Sequence, residues 1–211
     1  MTVVVLDLGG VLSWPPDLFS ASSALLGVSP QEYEAVYWTR RGELDHLLPP
    51  DEYYADLLTR LGVDPTPDLL QHLGHFDMSL WCRFRPSAVE LLKEIGTWGE
   101  RPVILSNAPA TLRAAAEQSD WFPLVDRLFI SAELGLVKPD PLLYERVTGE
   151  LGVTPGEIAF IDDRADNVAA ATAFGWQAHL WVDDADSLAW LRGVVSGATS
   201  AAAGSPPPRG R

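Results

Sequence analysis

Six polar residues stand where a parallel sheet would present them to a ligand. Asp7 follows the apolar run VVVL at residues 3–6, Ser106 and Asn107 follow PVIL, Lys138 lies in AELGLVKPD, and Asp162 and Asp163 follow IAFI. A carboxylate on a rigid strand end is a nucleophile candidate. Carboxylates brought from separate segments offer the oxygen ligands that Mg²⁺ takes while it keeps several waters. A lysine ammonium and a serine hydroxyl hold the remaining oxygens of a phosphoryl group and balance its charge during transfer. Gly9 and Gly10, directly after, let backbone N–H groups approach an anion. The set suits a phosphate ester better than a neutral substrate. In-line attack by Asp7 would give an aspartyl-phosphate, with the cation shielding Asp7 from the substrate's charge.

These positions matter only if the chain folds so that they converge. VVVL is short, β-branched and without alternation, which predicts a buried strand. From about residue 17 to 82 the pattern is helical throughout: SPQEYEAVYWTRRG carries an N-cap at Ser29, Pro30 at the first helical position, Glu32 closing a capping box and a stop at Gly42. PPDEYYADLLTRLG and TPDLLQHLGHF repeat the form. After Pro86 strands and helices alternate. Helices are predicted near 86–98, 109–118, 140–151, 165–174 and 185–194, and strands at RPVILSN, RLFIS (near 127–131), EIAFID (near 157–162) and QAHLWV (near 177–182). Such alternation means βαβ crossovers and a parallel sheet, whose ligands bind beyond the carboxyl ends of the strands. The fold class is therefore α/β, a Rossmann-like parallel sheet with helices on both faces and a helical insertion after the first strand. Residues 1–14 and 83–195 are expected to form the core, 15–82 the insertion, and 196–211, small and Pro/Gly-rich, a disordered tail.

The chain's 211 residues suffice for a real core without staples. A formal net charge of −14 argues against nucleic acid or an anionic membrane as partner. Cys82 is the only cysteine, so no intrachain disulfide forms, in keeping with a reducing cytoplasm. Its flanks suggest an inert thiol. The first residues do not read as a signal peptide, because no basic stretch precedes an apolar run that breaks at Asp7. No run is long enough to span a membrane. The expected partner is a small phosphorylated metabolite, and the expected state a monomer or homodimer.

VVVLDLGGVL, VILSN, GLVKPDPLLY and AFIDDRADNVAAATAFG, in this order, resemble the four motifs of the haloacid dehalogenase-like hydrolase superfamily. The resemblance implies Asp7 as nucleophile, Ser106 and Lys138 as phosphate-binding and catalytic groups, and Asp163 as the usual metal-ligand aspartate beside Asp162. It implies Mg²⁺ held by Asp7, Asp163 and the Gly9 carbonyl, and Asn167 as a loop-fixing residue. The helical insertion resembles the family's cap. One position departs from the pattern. Most phosphatases of the family carry an acid/base aspartate two residues after the nucleophile, where this chain has Gly9. General acid–base help is typically worth about 10²–10⁴-fold. Family members with this DLG form include sugar-phosphate phosphatases. Three readings stay open: a Mg²⁺-dependent phosphatase, a metal-free haloacid dehalogenase, and a binding protein whose chemistry was lost with the acid.

Other residues have plainer readings. Asp166 suits the first turn of the helix that follows it. Asn107 combines phosphate binding with helix capping. His72 and His75 lie three apart with no third ligand near in sequence, which favours a surface or packing role over a metal site. Tyr33, Tyr37, Trp38, Tyr53 and Tyr54 fall at helical spacing and read as cap core. Arg40, Arg41 and His46 lie near a turn that could face the substrate, with a solvated helix end as the alternative, and Trp14 and Pro15 could line the entrance.

Overall fold

The computed structural model describes residues 2–99 and 101–203. Five parallel strands form one sheet in the order β3-β2-β1-β4-β5: β1 Val3–Leu6, β2 Val103–Ser106, β3 Arg127–Ile130, β4 Ile158–Asp162 and β5 Gln177–Leu180. β1 is central, pairing Val5 with Val103 on one side and Val5 with Phe160 on the other. The sequence winds outward from it in both directions, so the carboxyl ends of β1, β2 and β4 lie side by side at the point where the winding reverses.

Both faces of the sheet are covered, which explains the uninterrupted apolar strands. Successive side chains point to opposite faces. Val4 and Leu6 pack with Leu92 of α6 (Pro86–Gly96), Leu112 of α7 (Leu112–Glu117) and Leu191 of α11 (Asp184–Ala203). Val5 packs with Leu143 of α9 (Pro141–Leu151) and Ala171 of α10 (Ala165–Phe174). Burying each such branched side chain is worth roughly 1.5–3 kcal/mol. This packing holds the strand ends rigid.

Between β1 and α6 the chain forms five helices: α1 Leu18–Leu26, α2 Pro30–Tyr37, α3 Arg41–Leu44, α4 Pro50–Arg60 and α5 Pro67–Trp81. Ser29 and Glu32 make the predicted capping box, and the Thr66 side chain accepts from the Leu69 N–H. These helices bury their own core, with Tyr33, Tyr37, Tyr54, Leu57, Leu58 and Leu73 at its centre. Trp81 packs against this cluster and against the core of the sheet, joining the two.

The structure departs from the sequence reading in places. A short helix, α8 Ser131–Leu134, follows β3 directly. The last helix continues to Ala203, past the predicted end near 194, so residues 196–203 of the expected disordered tail are helical. Alanine-rich segments extend an established helix readily, because propagation is easier than nucleation. The rest of that tail, 204–211, lies outside the described residues. Among the described residues no helix is long and apolar enough to cross a membrane.

Candidate active site

Asp7 sits one residue beyond β1, its N–H donating to the Ile161 carbonyl (2.9 Å) as the ladder ends. Its carboxylate is buried. Oδ1 accepts from the Leu8 N–H (2.7 Å) and from the Lys138 ammonium (2.8 Å). Oδ2 takes no donor among the described residues, which leaves it open.

Lys138 is buried and reaches three acceptors: Asp7, Asp162 Oδ2 (2.7 Å) and the Leu105 carbonyl (3.0 Å). Its backbone is clasped by Asn107. The Asn107 Nδ2 donates to the Lys138 carbonyl (2.9 Å), and the Lys138 N–H donates to Asn107 Oδ1 (2.8 Å). Asn107 thus places Lys138 while lining the cavity, and it does not cap the next helix, whose N-cap position is Thr111. Beyond Lys138, Asp140 caps α9 through the Leu142 N–H (2.9 Å), which anchors the loop from the other side.

Asp162 and Asp163, adjacent in sequence, are used differently. Asp162 is fully buried and saturated, accepting from Lys138, from Asn167 Nδ2 (2.9 Å to Oδ1) and from the Arg164 N–H (2.9 Å). It orients Lys138, and Asn167 fixes it in turn. Asp163 is exposed, with its carboxylate turned toward Gly10. Oxygens of Asp7, Asp162 and Asp163 all lie within 4.8 Å of one another. Burial lifts the Asp7 carboxyl above the usual range; Lys138 opposes this, while Asp162 and Asp163 add to it. Asp163 is raised as well, by the partial desolvation of its carboxylate against the site and by Asp162. For Lys138 burial acts downward, but Asp7 and Asp162 outweigh it, so the ammonium stays charged. Three carboxylates around one ammonium leave an excess of negative charge and hard oxygen donors, a set that fits Mg²⁺.

The two glycines divide the remaining work. A Cβ on Gly10 would fall 2.1 Å from Asp163 Oδ2, and its φ is +80°. Gly10 therefore admits the Asp163 carboxylate. Its N–H donates to the Ser13 carbonyl (2.9 Å), so it does not serve as the expected phosphate donor. At Gly9 a Cβ would meet only the Trp81 ring, at 3.4 Å. An indole from the cap stands where the family's acid would extend.

Ser106 ends β2, buried, and faces a cavity of about 90 Å³ between sheet and cap. Gly9 and Asn107 share its floor, while Trp38, Arg41, Asp45 and Trp81 come from the cap. Trp38 is therefore a half-exposed wall of this cavity and not cap core, in contrast to Tyr33, Tyr37, Tyr53 and Tyr54, which are buried. Of the three cap candidates, Arg41 lines the cavity and is buried. Arg40 pairs with Glu43 (2.7 Å) at the surface. His46 Nε2 meets the Gly135 carbonyl (3.1 Å) and docks the cap on the loop that leads to Lys138.

The rest of the Arg41 environment was not foreseen. Arg41 Nε donates to Asp45 Oδ1 (2.8 Å) and its Nη1 to Asp77 Oδ2 (3.1 Å). The hydroxyls of Tyr37 (3.0 Å) and Tyr54 (2.7 Å) also donate to Asp77, which is fully buried. The clue to Asp77 was its register with Leu73 and Leu80 on the apolar face of a helix.

Other expectations resolve simply. Asp166 pairs with Arg164 (2.8 Å) and accepts from the Asn167 N–H, at the first turn of α10. His72 and His75 are exposed and join no metal-binding group among the described residues; His72 stacks on Phe76. Trp14 is exposed and Pro15 buried, and neither lines the cavity. Burial pushes the Cys82 thiol up to about 12, which makes it inert.

Comparison with known proteins accords with this geometry. A family model for haloacid dehalogenase-like hydrolases matches residues 1–175. The chain belongs to this family. It is 30% identical over 178 residues to the sesquiterpene phosphatase astK of Aspergillus oryzae, covering 81% of this chain and 85% of that protein. The L-2-haloacid dehalogenase of Xanthobacter autotrophicus shares the fold at a TM-score of 0.68 and 24% identity, covering 93% and 84% of the two chains. A HAD family enzyme of Bacteroides thetaiotaomicron, solved with magnesium and inorganic phosphate, does so at 0.62 and 17%, covering 85% and 93%.

Proposed function

We propose that this HAD-like hydrolase is a Mg²⁺-dependent phosphohydrolase acting on a small phosphomonoester through an aspartyl-phosphate on Asp7. The observation that carries this reading is the cluster of Asp7, Asp162 and Asp163 around the single ammonium of Lys138. Asp7 and Asp163, with the Gly9 carbonyl and Asp162 adjoining, would hold Mg²⁺, which when bound supplies positive charge beside the nucleophile and the phosphoryl oxygens.

Asp7 Oδ2 attacks phosphorus while Lys138 and the Leu8 N–H hold Oδ1, which fixes the carboxylate plane. The Ser106 hydroxyl and the Lys138 ammonium offset charge on the transferring group. Water then attacks the aspartyl-phosphate and releases phosphate. The cavity above is walled largely by Leu8, Met78, Trp81 and Leu112. These walls fit an alcohol with apolar surface better than a polyhydroxylated sugar, and the likeness to a sesquiterpene phosphatase supports the same preference.

A panel of phosphate esters with the purified chain tests the reading. Hydrolysis that requires Mg²⁺ and stops with EDTA is expected, and no turnover of any ester would overturn it. The second reading, a haloacid dehalogenase, draws on Gly9, since displacement of halide needs no acid at that position. Chloride release from 2-chloropropionate that survives EDTA would establish it instead.

A further inference from the structure

The phosphatase reading leaves one step without a group. An alkoxide leaving from phosphorus needs a proton, and Gly9 has none to give. The cavity walls hold one residue that can supply it. Among the residues that line it, Arg41 and Asp45 are the ionisable ones, and a guanidinium does not give up its proton. Asp45 follows α3 directly, on the cap side of the cavity, facing the floor made by Gly9, Ser106 and Asn107.

Its position is fixed by the core as well as by the cap. The Ser131 hydroxyl donates to the Asp45 carbonyl, and the same hydroxyl accepts from the Ala108 N–H (2.9 Å). Ala108 follows Ser106 and Asn107 in the phosphate-side loop. The neighbouring His46 grips the Gly135 carbonyl, three residues before Lys138. Asp45 is thus docked onto both core loops that carry the site. Arg41 holds one carboxylate oxygen, Oδ1, and Oδ2 takes no donor among the described residues.

Resting on the phosphatase reading, we propose that Asp45 is the general acid and base of this enzyme, delivered from the cap in place of the acid absent at Gly9. In the first step Asp7 Oδ2 bonds to phosphorus, the ester P–O bond breaks, and the Asp45 proton passes to the leaving oxygen. In the second, the Asp45 carboxylate takes a proton from water as its oxygen bonds to phosphorus. The bond from phosphorus to Asp7 breaks, which regenerates both carboxyl groups in their starting states.

The surroundings of Asp45 suit the role. Burial raises its carboxyl to about 6, against the pull of Arg41, and Asp77 adds to the rise. The titratable groups packed about it are Arg41, Asp77 of α5, and the phenols of Tyr37, Tyr53 and Tyr54. The core contributes no charged group to this cavity. A desolvated acid that titrates near neutrality is the kind that can both give and take a proton at physiological pH.

Phenyl phosphate and p-nitrophenyl phosphate, alike in shape and different in leaving-group basicity, separate this role from a structural one. With Asp45→Asn the turnover of phenyl phosphate is expected to fall about 10²–10⁴-fold. With p-nitrophenyl phosphate the variant should release a burst of nitrophenolate stoichiometric with enzyme, then slow as phosphoenzyme accumulates. Asp45→Glu should restore part of both rates. Equal loss on the two esters with no burst, or no loss at all, overturns the proposal. If Asp45→Asn does not fold, the pH profiles of the wild type decide. A first-turnover rate that declines above about pH 6 for phenyl phosphate, but not for nitrophenolate release from p-nitrophenyl phosphate, supports the assignment, and parallel profiles overturn it. A wild type inert on every ester overturns the phosphatase reading, and this inference with it.

Discussion

The molecule holds two ionic networks, one at the strand ends of the sheet and one in the cap. In the sheet, Lys138 is a single ammonium among Asp7, Asp162 and Asp163. In the cap, Arg41 is a single guanidinium between Asp45 and Asp77. The difference lies in what remains unsatisfied. Asp77 is closed off by Arg41, Tyr37 and Tyr54, so it acts as a structural anchor. The sheet network keeps an open oxygen on Asp7 and an exposed carboxylate on Asp163, and in the cap only Asp45, through Oδ2, is open in the same way. Burial alone does not separate chemistry from architecture; incomplete satisfaction does.

Substitutions on the two sides should therefore fail in different ways. The largest effect is expected from Asp7→Asn, which removes the proposed nucleophile. Turnover should drop by about 10³-fold or more, while circular dichroism and the melting transition show a folded protein. Turnover near the wild-type value would place the chemistry elsewhere. Asp77→Asn should do the opposite, costing about 3–5 kcal/mol in denaturant unfolding because Arg41 loses a buried partner. Its activity per folded molecule should stay close to that of the wild type. A stable Asp77→Asn variant would show that Asp45 and the phenols suffice to satisfy Arg41.

The ionisation of Asp45 sharpens the contrast through stability. Its carboxyl is raised from 3.8 to about 6 in the fold, so the native state binds the proton more tightly than the unfolded chain. That contribution is complete below about pH 4 and is lost as pH rises through about 6, amounting to roughly 2–3 kcal/mol. Unfolding of the wild type at pH 4.5 and 7, set against Asp45→Asn, should show a smaller pH-dependent change in the variant by about that amount. Equal slopes would mean that Asp45 titrates normally. The glycines give the smallest effects. Gly10→Ala should cost about 1–2 kcal/mol for its positive φ and should weaken Mg²⁺ binding by displacing Asp163. Gly9→Ala should change stability by less than about 1 kcal/mol, since its Cβ has room. Matching losses at the two positions would remove the distinction drawn between them.

Much of the sheet side was legible in the sequence, because the connection rules of a parallel sheet carry strand ends to one edge whatever the side chains do. Asp7, Ser106, Lys138, Asp162 and Asp163 could be read that way. What each carboxylate does there could not. Adjacent aspartates point in opposite directions from a strand end, and only tertiary packing makes Asp162 the organiser of Lys138 and leaves Asp163 open. Asn107 is similar, since nothing local signals that its amide spans 31 positions to clasp a peptide. The cap network was less visible still. RRGELDHLLPP has the texture of a solvated helix end, and Arg41 and Asp45 are buried by helices distant in the chain. Only the spacing of four between them, and an acid on the apolar stripe of α5, hinted at the network.

The central claim is that Asp7 becomes phosphorylated in a site that needs a divalent cation. Rapid acid quench of the enzyme turning over p-nitrophenyl phosphate, followed by peptide mass spectrometry, tests it most directly. Phosphate should be found on Asp7 when Mg²⁺ is present and be missing after EDTA or in Asp7→Asn. Turnover of the ester with phosphate on another residue, or with the same yield of phosphorylated Asp7 in EDTA, would contradict the account.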